Sequence, residues 1–278
     1  MRWGGEEERN SKLAVDLLHR NRDVMLAVLD HKPQSSNKTL PTKSYDVIYL
    51  LDFSSLFSRA VFSDDASFLK LPVPGNRSGP EAFAIDSTGK GFYTGVSGGK
   101  ILSYTPGKGY IEFAYMTESS DVLKAVASKD ATGKLFKYDP SKKVVTVLLE
   151  GLSGSAGCAV SSDGSFVLVG QFTKSNIKRY WIKGPKAGSS EDFTNAVSNP
   201  DNIKRIGSTG NFWVASVVNT ATGITNPSAV KVNSDGKVLQ TISVKDKFGD
   251  TLVSEVNESQ GKLYIGTLFG PFAGILKL

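Results

Sequence analysis

The chain has 278 residues, 40% hydrophobic and 10% aromatic, enough for one large all-β domain or two small ones with a buried core. Its formal charge of +6 comes from lysines and arginines scattered along the chain, without a basic cluster interleaved with aromatics, so no nucleic-acid partner is expected. Cys158 is the sole cysteine and His19 and His31 the only histidines. That excludes an intrachain disulfide and a cysteine-based zinc site, and it excludes a histidine-based triad after His31 unless the N-terminal segment folds over the site.

The start, Met1 to Glu8, does not read as a signal peptide, because no apolar stretch follows a basic end. No run reaches the roughly 18 apolar residues of a membrane span. Between Ser11 and Asp30, Leu13, Leu17, Leu18, Val24, Met25 and Val28 fall near a 3.6 repeat and predict a helix, with Asn10 or Ser11 as cap and Pro33 beyond its end. Gln34 to Lys43 is polar and reads as a linker. Tyr45 to Phe53 is an apolar run that fits either a buried strand or a short helix. Asn37, Asn76 and Asn257 head sequons for N-linked glycosylation, a weak pointer to secretion.

From Ser78 onward the texture changes to short apolar strands broken by Asp/Ser/Gly turns. One unit, strand–glycine turn–strand, spans Phe83–Thr94 and Ala159–Val169, with looser copies at Ile203–Val214 and Val256–Ile265. A third strand with a basic and aromatic end follows at Lys100–Tyr104, Lys134–Asp139 and Asn176–Tyr180. The turn glycines Gly164, Gly210 and Gly261 lie 46 and 51 residues apart, the period of a four-stranded propeller blade. A β-sandwich has such strands without this period.

Several of these segments, in order, resemble the strictosidine synthase-like family of plants: Gly79–Phe83 through Gly91–Val96, Thr132–Pro140, Ser165–Val169, Asn199–Arg205 and Leu263–Phe269. The resemblance implies an all-β, six-bladed β-propeller with a small-molecule pocket at the mouth of its channel, residues 66–278, preceded by a divergent extension, residues 1–65, carrying the predicted helix. It also implies a vacuolar or secretory location and a place in plant specialised, alkaloid-type metabolism.

The family's named enzyme joins tryptamine to the aldehyde of secologanin by a Pictet–Spengler reaction, and a last-blade glutamate removes the proton. By resemblance that glutamate falls at Ser254, and the histidine before it at Leu252. A serine hydroxyl is no unassisted base near neutral pH. Glu255 is the adjacent carboxylate, and it points to the opposite strand face unless a bulge re-aims it. Phe172, Leu252, Leu268 and Phe269 fall at the apolar pocket, or serve as ordinary core. The expected function is a strictosidine synthase-like protein without true strictosidine synthase activity and without a cofactor.

Two alternatives stand beside it. The calcium-dependent propeller lactonases and esterases hold a central Ca2+ with oxygen ligands. Glu81, Asp201 and Asn202 sit where such ligands would come from, although Ala156 replaces an expected asparagine; blade-end hydrogen bonding is the plainer reading of the three. A non-enzymatic binding propeller is the other. The chain also departs from the family in length: only 75 residues separate Gly89 from Gly164, blades that lie three apart in the family. About one and a half blades are therefore missing, and the blade set is incomplete, with edges that the N-terminal region could patch.

Overall fold

The turn Ser161–Gly164 shows how the repeating unit folds. Ser161 Oγ donates to Asp163 Oδ1 at 2.7 Å and accepts from the amides of Ser165 and Phe166 at 3.0 and 3.1 Å. Gly164 then closes the turn at φ 67°, a left-handed conformation that costs glycine little, and Gly210 (φ 76°) and Gly261 (φ 70°) do the same one and two blades on. The computed structural model describes residues 24–28, 67–75, 77–85, 91–97, 100–115, 129, 131–139 and 144–278.

These residues form five antiparallel sheets, an incomplete β-propeller. The first sheet holds β3 (Phe83–Ile85), β4 (Phe92–Val96), β5 (Lys100–Thr105) and β6 (Gly109–Tyr115) in that order. The second has three strands, ordered β1 (Val24–Val28), β7 (Gly133–Asp139) and β8 (Val144–Leu152). The third runs β9 (Ser155–Val160), β10 (Phe166–Gln171), β11 (Asn176–Trp181) and β12 (Ser190–Thr194). In the fourth are β13 (Pro200–Arg205), β14 (Phe212–Thr220), β15 (Gly223–Val232) and β16 (Val238–Ser243), followed by a single helical turn, α1 (Lys245–Phe248). The last sheet takes β17 (Val253–Ser259), β18 (Lys262–Thr267) and β19 (Phe272–Lys277), and is completed by β2 (Phe68–Pro72) from the other end of the chain. β2 pairs antiparallel with β19, Phe68 opposite Leu276 and Pro72 opposite Phe272.

Burial follows from strands stacked face to face. All six residues of β10 are buried, as a strand covered on both faces requires. Four core clusters fill the spaces between consecutive sheets. Leu135 and Leu152 meet Val167 and Val169 between the second and third. Leu168, Phe166 and Ile177 meet Phe212, Val214 and Val230 between the third and fourth. Trp213 and Ala229 meet Val256, Leu263 and Phe272 between the fourth and fifth, and Tyr264 and Ala273 meet Phe83 and Phe92 between the fifth and first. Among the described residues no such cluster joins the first sheet to the second. Nor is any described helix long and apolar enough to cross a membrane.

Two expectations change. The helix over Ser11–Asp30 is overturned where it can be compared: Val24–Val28 is strand β1, in register with β7 from Val24 opposite Tyr138 to Val28 opposite Lys134. A five-residue apolar run satisfies either period, and the bare edge of β7 offers backbone partners that decide it. The rest of that helix, the linker and the Tyr45–Phe53 run lie outside the described residues. Lys134–Asp139, read as a third strand, is the second strand of its sheet among the described residues, with β1 alone inside it there.

Candidate functional site

β3, β9, β13 and β17 are edge strands of their sheets, and β9, β13 and β17 neighbour one another around the channel. Each of these last three breaks register with its partner at the same end. On β9, Ala156 and Gly157 oppose the single Gly170; on β13, Asp201 and Asn202 oppose Ala215; on β17, Ser254 is the extra residue between Val253 and Glu255. Such bulges turn side chains out of the normal alternation. Small partners make room for them. A Cβ on Gly170 would lie 3.0 Å from the Asp201 carbonyl oxygen, and a Cβ on Gly266 would collide with the carbonyl oxygens of Pro80 and Glu81. A Cβ on Gly157 would collide with the Asn202 side chain.

The consequence is a buried group of charged side chains. Glu255 is fully buried, Asp201 and Lys204 are buried on β13, and Glu81, just before β3, stays half-buried. Lys204 Nζ lies 3.6 Å from Glu255 Oε1, an ion pair longer than a hydrogen bond, and neither Glu255 oxygen accepts a hydrogen bond. Asn202 Nδ2 is likewise buried without an acceptor. Burial pushes the Glu81 carboxyl up to about 7, against the pull of the Lys204 ammonium. Glu255 is also pushed up to about 7, by burial first, with Lys204 opposing and Glu81 adding to the rise. Asp201 is raised well above the usual carboxylate range by burial and then by the charges of Glu81 and Glu255. Glu81 and Glu255 therefore exchange protons near neutral pH, the condition under which a carboxyl can both give and take one. Glu81 is the only one of the three carboxyls that keeps appreciable exposure.

Ser254 has a different task. It is fully buried, and its hydroxyl donates at 2.9 Å to the carbonyl oxygen of Glu81. Thr267 N donates to Pro80 O at 3.0 Å and Gly79 N to Gly270 O at 2.9 Å, so the backbone that presents Glu81 is tied to the last sheet at three points. The bulge at Ser254 is the condition under which Glu255 leaves the face expected of it, and Glu255 indeed joins Lys204, Glu81 and Asp201.

An apolar layer lies at the same end. Phe172, Leu252 and Leu268 come together there, with Ala156, Val217 and Ile224. Phe269 does not join them and is 49% exposed. The loop under Phe172 is held by Asn199, whose Nδ2 donates to Phe172 O at 2.8 Å and whose Oδ1 accepts from Asn219 N at 2.9 Å. Of the three sequons, Asn37 and Asn76 lie outside the described residues. Asn257 is buried on β17 and donates to Phe83 O at 3.4 Å, which closes its amide to a glycan in the folded chain.

The expected metal ligands Glu81, Asp201 and Asn202 are thus neighbours of one cluster. Among the described residues no group of three or more His, Cys, Asp or Glu side chains is arranged to hold a metal ion. The donor set that includes Asn202 is all oxygen, the chemistry of a hard cation, but Lys204 already brings a positive charge to it. Sequence reasoning missed Lys204. Its signal was the spacing Asn202-Ile203-Lys204, which puts the amide and the ammonium on one strand face.

The sequence model of the strictosidine synthase family matches residues 110–185. Strictosidine synthase-like protein 11 of Arabidopsis thaliana is 58% identical over 84% of this chain and 98% of its own length. The chain belongs to the strictosidine synthase-like family. Strictosidine synthase-like protein 12 of the same plant is also 58% identical, over 85% of this chain and 97% of its own. The strictosidine synthase of Catharanthus roseus is 40% identical over 56% of this chain and 44% of that enzyme. The alignment with protein 11 runs over 322 positions, more than the 278 residues of this family member, so protein 11 carries residues with no counterpart here. Solved structures similar to this strictosidine synthase-like chain include a gluconolactonase from Xanthomonas campestris, 16% identical with a TM-score of 0.42 over 67% of this chain and 56% of that one. A luciferin-regenerating enzyme is 14% identical with a TM-score of 0.42, over 70% and 76% of the two chains.

Proposed function

We propose that this family member binds a small molecule at the channel mouth in plant specialised, alkaloid-type metabolism and does not perform the Pictet–Spengler condensation. The observation that carries the reading is the Ser254 hydroxyl: at the position of the family's base it is fully buried and spent on the Glu81 carbonyl. It can neither take a proton from a substrate nor reach one. Glu255, the adjacent carboxylate, is sealed from the channel and acts on its neighbours through charge.

The group left to meet a ligand is Glu81. Its carboxyl, held near 7 by burial, can accept a proton from a ligand or donate one, with Asp201, Glu255 and Lys204 setting how readily it does so. Phe172, Leu252 and Leu268 supply the apolar wall. Incubating the protein with tryptamine and secologanin should yield no strictosidine above the uncatalysed rate. Strictosidine formed above that rate, and lost in Ser254→Ala, would contradict this reading of the site.

A second reading, a calcium-assisted hydrolase of lactones or esters, is favoured by the neighbouring carboxyls of Glu81 and Asp201, with Asn202 next in the chain. Glu81, Asp201 and Asn202 would hold the ion, which would polarise an ester carbonyl. Under that reading calcium raises the melting temperature and chelation lowers it. No shift in either direction removes it.

A further inference from the structure

The middle strands of the fourth sheet outrun the outer ones. β13 last pairs with β14 at Pro200 opposite Ser216, and β16 with β15 at Ser243 opposite Ser228. β14 and β15 continue past both, with Val218 opposite Thr225, Asn219 opposite Ile224 and Thr220 opposite Gly223. The result is a two-stranded ribbon, Val218–Thr225, that projects at the end of the sheet where the bulge of β13 lies. Two strands without a lateral neighbour are marginal by themselves, so the ties between this ribbon and the body decide where it sits.

The base of the ribbon is a break in the ladder. Val217 on β14 faces both Asn226 and Pro227 on β15, and Asn226 takes a left-handed φ of 51°. Below the break the chain is fixed: Ser216 Oγ donates to Ser198 O at 2.7 Å, and Val244 N to Pro227 O at 2.9 Å. Above it, among the described residues, one hydrogen bond ties the ribbon to the body, from Asn219 N to Asn199 Oδ1 at 2.9 Å. The side-chain hydrogen bonds of Thr220 and Thr225 stay inside the ribbon. The second tie is apolar: Ile224 and Leu268 are half-buried against Ala156, Phe172, Val217 and Leu252. Asn219 to Gly223, at the tip, are exposed and small or polar.

We propose that this ribbon is a flap over the channel mouth and that Ile224 sets which ligands enter. The inference rests on the reading that a small molecule binds at that mouth. Ile224 occupies apolar space beside Phe172, Leu252 and Leu268. The flap swings out about Asn226, and an apolar group of the ligand takes the place of the isoleucine. Asn199 joins latch to wall, since the amide that accepts from Asn219 also donates to Phe172 O at 2.8 Å. The open flap is the competent state, so weakening either tie raises its population. Association rate and affinity then rise together while dissociation stays the same. A residue that merely packed would, on truncation, loosen the pocket and speed dissociation instead.

The test uses the full chain and the neutral fluorescent probe N-phenyl-1-naphthylamine in stopped flow. Asn219→Pro deletes the latch N–H and should raise association rate and affinity about fivefold. Ile224→Ala removes most of the apolar tie and should raise both about tenfold. Leu268→Asp puts a charge into the wall and should abolish probe binding. Hydrogen exchange reads the flap without a ligand: the Val218–Thr225 amides should exchange about fivefold faster in Asn219→Pro, with those of Phe212–Ser216 unchanged, which also shows that the variant is folded. Probe binding that is lost in Leu268→Asp, with association unchanged or dissociation faster in the two flap variants, overturns the flap and leaves the mouth as a binding site. A probe that binds no variant, or that Leu268→Asp leaves bound, overturns the small-molecule reading of the mouth and this inference with it.

Discussion

Replacing Glu255 by Gln removes the one charge in the cluster that is fully buried, and the structure fixes both the sign and the size of the effect. The folded chain holds the Glu255 proton up to about pH 7, whereas its ordinary value is 4.5. A carboxyl raised on folding contributes fully below its unfolded value, and that contribution is lost as pH rises through the folded one. Wild type should therefore lose stability between pH 4.5 and pH 7. At about 1.4 kcal/mol per pH unit, Glu255 alone accounts for a loss of about 3 kcal/mol, an upper figure because Glu81 and Asp201 titrate with it. Glu255→Gln keeps the shape and abolishes that part of the slope. Lys204 loses its 3.6 Å partner but retains the attraction of Glu81, so the net gain at pH 8 is about 1–2 kcal/mol, with little change at pH 5. Urea unfolding followed by the fluorescence of buried Trp213 measures both. A variant destabilised equally at pH 5 and pH 8, with the slope of wild type, would refute the reasoning.

Other predictions test the frame around the cluster. Ser254→Ala deletes one hydrogen bond and should cost about 1 kcal/mol, read as a lower urea midpoint. Ser254→Glu puts a fourth carboxyl into a fully buried position beside three others; it should cost about 3 kcal/mol or more and restore no condensation, checked by unfolding and by product analysis. Gly157→Ala drives a methyl into Asn202 and should lower the melting temperature by several degrees, whereas Gly184→Ala, which meets no atom within 4 Å but sits at a positive φ of 82°, should cost only its backbone strain of about 1 kcal/mol. Trp213→Phe leaves Glu258 without its 2.6 Å donor and should cost about 2 kcal/mol at neutral pH.

Much of the fold was legible because its turns are chemical. Asp163-Gly164, Gly210 and Gly261 recur at blade spacing, and the strands on either side of each form as read. The Val24–Val28 run was not legible, since a short apolar segment satisfies two periods and its strand state depends on a partner 110 residues away in the chain. The site was half legible. Glu81, Asp201 and Asn202 were marked as neighbours of one centre, and Phe172, Leu252 and Leu268 as one apolar group. Where Glu255 points was not fixed in advance, because alternation along a strand assumes an unbroken ladder and the bulge at Ser254 breaks it. Interior glycines such as Gly170 and Gly266 were the available hint, since they mark places where another backbone comes close.

The central claim is that the position of the family's base serves structure rather than proton transfer. Product analysis of the purified chain with tryptamine and secologanin, run beside Ser254→Ala and a strictosidine synthase control, tests it most directly. The account predicts strictosidine from the control alone. Strictosidine formed by this chain at a rate that Ser254→Ala abolishes would contradict it.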